Sequence, residues 1–141
     1  MTVSHEPVST TRSVTLDAPV TEVWDEVADP DGFGSFLGGP TEVDLRPGGV
    51  GRALLEDGDR SILITAVEPG RRLSWQWATG DGEISSVEVV FEEEDEEPAT
   101  RVTVIERSFV ALPAGGAATA QASAAWSGLR VWAFGLSVVR A

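Results

Sequence analysis

The side chain best placed to do chemistry in this sequence is the carboxylate of Glu106. It follows Val102 and Val104 in a row of alternating residues on a predicted strand, so all three share the face that the strand would bury. A buried charge costs free energy unless it is paired. We therefore expect Glu106 either to form an ion pair, with Arg52 or Arg107 as partner, or to face a ligand at a wet pocket mouth. If it were desolvated and unpaired, it could act as a general base.

Other common catalytic and metal sites lack the residues that they require. Every basic residue is an arginine and there is no cysteine, which excludes a P-loop, thiolate zinc sites and cysteine nucleophiles. The one histidine, His5, lies in an N-terminal segment that is expected to fray, so histidine triads and histidine-rich metal sites are not predicted. We predict no metal and no cofactor, and Glu106 is the one catalytic candidate. Whether the chain is an enzyme is left open, with a non-enzyme favoured.

Large apolar side chains alternate along three predicted strands. Leu73, Trp75 and Trp77 share one face of their strand, and such a row either fills a core or walls a cavity. Trp126 and Leu129 belong to the apolar stripe of a predicted last helix. The predicted pocket residues are Phe36, Trp75, Trp77, Val87, Val89, Phe91, Val102, Val104, Glu106, Trp126 and Leu129.

These side chains are positioned by a predicted series of short helices and antiparallel strands. A strand at 9–16 precedes a helix that Asp17 would cap, and a second short helix is predicted at 33–37 after the break Asp29-Pro30-Asp31-Gly32. Turn signals then separate strands at 42–46, 50–56, 60–67, 71–78, 83–92 and 101–109, with no crossover helix between them. The pattern predicts an antiparallel meander, followed after Pro113 by one long amphipathic helix.

The composition is typical of one acidic globular domain, residues 1–141, of which 1–9 are expected to be disordered. The 23 acidic residues outnumber 10 basic ones, giving a net charge of -13. Such a surface disfavours nucleic acids and anionic membranes as partners. Because no signal peptide and no long apolar stretch is visible, a cytoplasmic protein is predicted. The acidic run 92–97 is expected to be a solvated loop, and a homodimer through an exposed strand edge is left open.

Several motifs resemble a known family by their order and spacing: Val14-Thr-Leu-Asp-Ala-Pro-Val-Thr-Glu-Val-Trp24, Asp29-Pro-Asp-Gly32, Glu42-Val-Asp-Leu-Arg-Pro-Gly-Gly49 and Val67-Glu-Pro-Gly-Arg-Arg-Leu-Ser-Trp75. Together they resemble the SRPBCC (START-like) superfamily, and most closely bacterial proteins related to the C-terminal domain of the activator of heat-shock protein 90 ATPase. The resemblance implies an α+β helix-grip fold, in which a curved antiparallel β-sheet with two short N-terminal helices wraps a long C-terminal helix. Where the family often has a tryptophan in the second helix, this chain has Phe36.

Three functions are consistent with this resemblance. The main hypothesis is that the chain binds a hydrophobic small molecule between the sheet and the C-terminal helix, without catalysis. One alternative is an enzyme similar to polyketide cyclases or dehydratases that uses Glu106. The other is a protein-interaction module that acts on a chaperone or a transcription regulator through its acidic surface.

Overall fold

The computed structural model describes residues 8–80, 82–95 and 98–108. Two helices and seven strands occur in this part of the chain, and their order agrees with the sequence prediction. The elements are β1 (Val8–Leu16), α1 (Val20–Ala28), α2 (Pro30–Leu37), β2 (Thr41–Val43), β3 (Val50–Leu55), β4 (Gly58–Glu68), β5 (Arg72–Thr79), β6 (Ile84–Glu93) and β7 (Thr100–Ser108). The predicted C-terminal helix lies outside the described residues.

All seven strands join one curved antiparallel sheet in the order β1-β7-β6-β5-β4-β3-β2. Strands β2 to β7 form the predicted meander, in which each strand pairs with its neighbour in sequence. β1 lies at the end of the sheet opposite β2. It pairs with β7, from Val8 opposite Ser108 to Leu16 opposite Thr100. The order leaves β1 and β2 as the edge strands of the described sheet.

Helix α1 begins later than the Asp17 cap would require, so that prediction is wrong. The N-cap is Pro19, whose carbonyl accepts hydrogen bonds from the amides of Glu22 and Val23, and no side chain caps this helix. Asp17 lies two residues before this N-cap, whereas a capping side chain ordinarily belongs to the N-cap residue itself. The spacing of apolar residues in this segment predicts a buried stripe of Val20, Val23, Trp24 and Val27, of which the last three are buried and Val20 is partly buried.

Helix α2 begins at Pro30, three residues earlier than predicted. The residues that we interpreted as a break are its start, because Oδ2 of Asp29 accepts hydrogen bonds from the amides of Asp31 (3.0 Å) and Gly32 (3.1 Å). Pro30 occupies the first turn, where its missing amide is not needed. The helix ends at Gly38, whose φ of 98° places it in the left-handed region that favours glycine.

The two faces of the sheet differ sharply. On the face that we call the inner face, Trp75 packs edge-on against Phe33 of α2 and Phe91 against Trp24 of α1, with ring centroids 5.1 Å apart in both pairs. Strand residues alternate between this buried face and an outer face that is more polar and more exposed. On the outer face, hydrogen bonds from Arg72 to Glu88 and Glu68 raise the pKa of the arginine above its ordinary value.

No helix in the described ranges combines the length and the apolar character needed to cross a lipid bilayer.

Candidate functional site

A group of three polar side chains interrupts the apolar inner face. Glu106 on β7 is 2% exposed, and its Oε2 accepts a hydrogen bond of 2.8 Å from Nε1 of Trp77 on β5. Nη1 of Arg60 on β4 lies 3.8 Å from the same oxygen. The Arg60 guanidinium carbon stands 4.2 Å from the centroid of the Trp77 ring, within the range of a cation–π interaction. We refer to Arg60, Trp77 and Glu106 as the polar cluster.

The turn between β3 and β4 holds the arginine of this cluster. Leu55 pairs with Gly58, so the turn itself comprises Glu56 and Asp57, whereas the predicted strands 50–56 and 60–67 placed it at 57–59. Oδ2 of Asp57 accepts a hydrogen bond of 2.8 Å from Nη2 of Arg60. The aspartate side chain is 52% exposed and that of the arginine 8%. A solvent-facing carboxylate therefore fixes one edge of a buried guanidinium.

The predicted ion-pair partners of Glu106 are wrong. Arg52 and Arg107 are both exposed, and strand alternation places them on the outer face, while Glu106 is on the inner face. The partner is Arg60, which the sequence analysis did not select. A signal for it was present, because Arg60 alternates with the buried Ile62 and Ile64.

The structure brings most of the predicted pocket residues together on the inner face of the sheet. None of those on strands is more than 4% exposed, and Phe36 on α2 is 3% exposed. They are Trp75, Trp77, Val87, Val89, Phe91, Val102, Val104 and Glu106. The Phe33 and Trp24 contacts fill the space beside Trp75 and Phe91, as the core interpretation expected. Trp126 and Leu129 lie outside the described residues, and ligand binding by the set stays a prediction.

A groove of about 940 Å³ lies mainly on the outer face, and the sequence analysis did not anticipate it. Most of its lining residues point away from the helices, among them Val50, Leu63 and Ile84, which are 68%, 41% and 44% exposed. Such exposed apolar side chains on neighbouring strands are a common mark of a contact surface. The sequence signal that could have predicted this groove is that these apolar residues occupy outward positions in the alternating pattern.

Comparison with known proteins agrees with this architecture. The family model of activator of Hsp90 ATPase homolog 1-like proteins matches residues 17–129. The crystal structure of CalU16 from Micromonospora echinospora is 25% identical and superposes with a TM-score of 0.70, covering 89% of this chain and 71% of its own. Ms6760 from Mycobacterium smegmatis, at 24% identity and a TM-score of 0.65, covers 100% of this chain and 99% of its own, and supports the fold.

DynU16, a protein from the dynemicin biosynthetic locus, is 27% identical with a TM-score of 0.74. The match covers 89% of this chain and 45% of DynU16, so the chain spans less than half of that protein. Among curated proteins, none matches the sequence. Because the family model covers most of the chain, and the sheet and paired helices agree with its solved relatives, this protein belongs to the activator of Hsp90 ATPase homolog 1-like family of the SRPBCC superfamily.

Proposed function

We propose that this protein binds a hydrophobic small molecule on the inner face of its sheet, beside the polar cluster, and that it does so without catalysis. The observation that carries the proposal is a buried carboxylate, Glu106, held by Trp77 and Arg60 on a face that is largely apolar. Small-molecule sites usually combine apolar and aromatic walls with a few well-placed polar groups. The inner face has this composition.

Stability alone is a poor reason for such a cluster. Replacing a buried ion pair by apolar residues of similar volume is often neutral or stabilising, because desolvation costs as much as the charges gain from each other. A core built only for packing would therefore do as well with apolar residues at these positions. The polar cluster is better explained by recognition of a ligand that itself carries a polar group.

The proposed pocket extends from the polar cluster along the aromatic and β-branched side chains of β5, β6 and β7. Trp75, Val87, Val89 and Val104 are its central members. Phe36, Phe91 and Val102 would border it, and Trp126 and Leu129 are included because they share the apolar stripe of the predicted last helix. DynU16 comes from a biosynthetic locus, which supports a small molecule as the ligand.

An enzyme that uses Glu106 as general base is less well supported. A general base needs a carboxylate that is ready to accept a proton from its substrate. Here Oε2 of Glu106 already accepts a hydrogen bond of 2.8 Å from the Trp77 N–H and lies 3.8 Å from Nη1 of Arg60, so the protein itself engages this oxygen. This arrangement is suited to holding a charge in place, and it favours a binding role.

An interaction module remains a second candidate because of the outer groove. Val50, Leu63 and Ile84 expose apolar surface there, whereas the sequence analysis based this hypothesis on the acidic surface of the protein. The inner face and most of the groove lie on opposite sides of one sheet, and Leu63 belongs to the groove but not to the proposed pocket, so a substitution there separates the two sites.

Native mass spectrometry of the purified protein, followed by extraction under denaturing conditions, tests the proposal directly. We expect a stoichiometric apolar compound that is released on unfolding. Trp77→Phe should weaken binding of that compound by about threefold or more, since it removes a wall and an N–H donor. Leu63→Ser, on the outer face, is the matched control and should leave binding unchanged. The opposite result, loss in Leu63→Ser alone, would move the site to the outer groove.

A further inference from the structure

The two edges of the described sheet differ in how they are protected against pairing with a further strand. An edge strand presents unpaired backbone N–H and C=O groups, which native proteins shield by shortening the strand or by adding prolines, bulges or charges. β2 has such protection, because it comprises three residues, follows Pro40 and carries the charges of Glu42 and, just beyond it, Asp44. The β2 edge is therefore poorly suited to bind another strand.

β1, at the other edge, lacks this protection. It is nine residues long and contains no proline, and its register with β7 is unbroken, so it has no bulge. Ser9, Thr11, Ser13 and Thr15 are exposed. Within the described residues, β1 pairs with β7 alone, and no backbone hydrogen bond joins its other side to a further segment. Alternate residues of such an edge direct their N–H and C=O groups outward, where an added strand can bind them.

The charges at this edge indicate which partner fits. The chain has a net charge of -13, so two copies repel each other wherever their acidic residues meet. β1 has no acidic residue and one basic residue, Arg12. On the neighbouring β7, Arg101 and Arg107 are exposed, and the one acid, Glu106, is buried. Of the two edges, this is the one at which a second copy can approach without contact between acids.

We infer that β1 pairs antiparallel with β1 of a second copy about a two-fold axis, which joins two seven-stranded sheets into one continuous sheet. A two-fold contact of this kind uses both free β1 edges at once, so the assembly closes as a dimer. The inference does not depend on a ligand of the inner face.

Arg12 restricts the alignment of the two strands. An alignment centred on Arg12 would place it directly opposite its own copy, where like charges repel. Alignments centred on Thr11 or Ser13 place it opposite Thr10 or Val14 instead. Both also keep the two inner faces on the same side of the joined sheet, because even-numbered residues then pair with even-numbered ones.

Sedimentation velocity of the full chain over a range of concentrations tests the dimer. Salt should strengthen it, since screening reduces the repulsion between two acidic copies. Ser13→Lys adds a positive charge to the free edge of each copy and should weaken the dimer about fivefold or more. Ser61→Lys makes the same change at an exposed position of β4 and should leave the dimer intact. Circular dichroism checks that both variants fold.

Spin labels locate the contact independently of these variants. The chain has no cysteine, so Ser13→Cys and Ser61→Cys each provide one labelling site. In the proposed dimer, electron paramagnetic resonance should place the two labels at position 13 within about 25 Å of each other, and those at position 61, four strands from β1, farther apart than about 30 Å.

Each outcome decides for or against the β1 contact. A protein that stays monomeric at every concentration would overturn it and leave the edge to another occupant, such as an extended peptide. Short distances at position 61 with long ones at position 13 would move the contact to the outer groove, which Ser61 lines. Equal weakening of the dimer by Ser13→Lys and Ser61→Lys would likewise contradict an edge contact.

Discussion

Trp77 on β5 donates its indole N–H to Glu106 on β7 across 2.8 Å, although the two residues are 29 positions apart and β6 lies between their strands. The bond passes over β6 because both side chains point to the inner face and are long enough to meet above its smaller residues. An unpaired carboxylate buried at this position would cost several kcal/mol. The bond is therefore one reason why Glu106 can lie in the core.

A double-mutant cycle should detect this contact as coupling between its two residues. Trp77→Phe removes the donor, and Glu106→Gln removes the charge while keeping an amide oxygen. We expect a coupling free energy of about 1–2 kcal/mol from urea unfolding of the two single variants and the double variant. The cycle of Trp24→Phe with Glu106→Gln is the control and should be additive. Additive effects in the Trp77 cycle would show that the charge of Glu106 contributes little to the bond.

The packing of Phe33 against Trp75 should be a main contribution of α2 to stability. Phe33 is fully buried, and its ring meets that of Trp75 edge-on at 5.1 Å and 88°. Phe33→Ala should lower the free energy of unfolding by about 3–5 kcal/mol, since it removes a large apolar group and leaves a cavity. Ile84→Ala on the outer face, where the side chain is 44% exposed, should cost less than about 1 kcal/mol. Similar urea midpoints for the two variants would contradict this account.

Gly51 should be required for the pairing of edge strand β2 with β3. A Cβ added there would overlap the backbone of Glu42 and Val43 on the neighbouring strand. Backbone atoms cannot move aside as a flexible side chain can, so Gly51→Ala should destabilise the protein by roughly 1–3 kcal/mol. Gly80→Ala is the control, because an added Cβ at that position meets no atom within 4 Å. Thermal unfolding of both variants decides the matter, and equal melting temperatures would refute the prediction.

The hydroxyl of Thr100 should stabilise the loop between β1 and α1. It donates a hydrogen bond of 2.7 Å to the carbonyl of Ala18, and Thr100 is fully buried. Thr100→Val preserves shape but leaves that carbonyl without its donor, at a cost of about 1–2 kcal/mol. Thr103→Val, on the half-buried outer face of the same strand, should be nearly neutral. Chemical denaturation would contradict the prediction if Thr103→Val proved the more harmful change.

The alternation of residues was sufficient to predict the sheet and its buried face. Val87, Val89 and Phe91, and likewise Val102, Val104 and Glu106, occupy the face that the period of two assigned to them. The assignment of residues to faces is correct because adjacent side chains of a strand must point in opposite directions. The same rule, applied to the arginines, would have rejected Arg52 and Arg107 as partners of Glu106.

The features that could not be predicted from the sequence depend on the register of the strands and on the residue at which a helix begins. The pairing of Arg60 with Glu106 requires knowledge of how β4 aligns across β5 and β6, and strand alternation does not supply that alignment. The start of α2 was missed because Asp29 and Pro30 are typical of a turn as well as of a capped helix. The outer groove was missed because single exposed apolar residues are common on protein surfaces.

The pairing of β1 with β7 has a consequence for folding during synthesis. Ala18, just after β1, and Thr100, at the start of β7, are 82 residues apart in the chain, so β1 finds its partner strand long after it leaves the ribosome. At roughly 5–20 residues per second, that interval is about 4–16 seconds. Until then, β1 exposes an unpaired edge that can join other chains, and chaperones that shield extended segments would act in this interval.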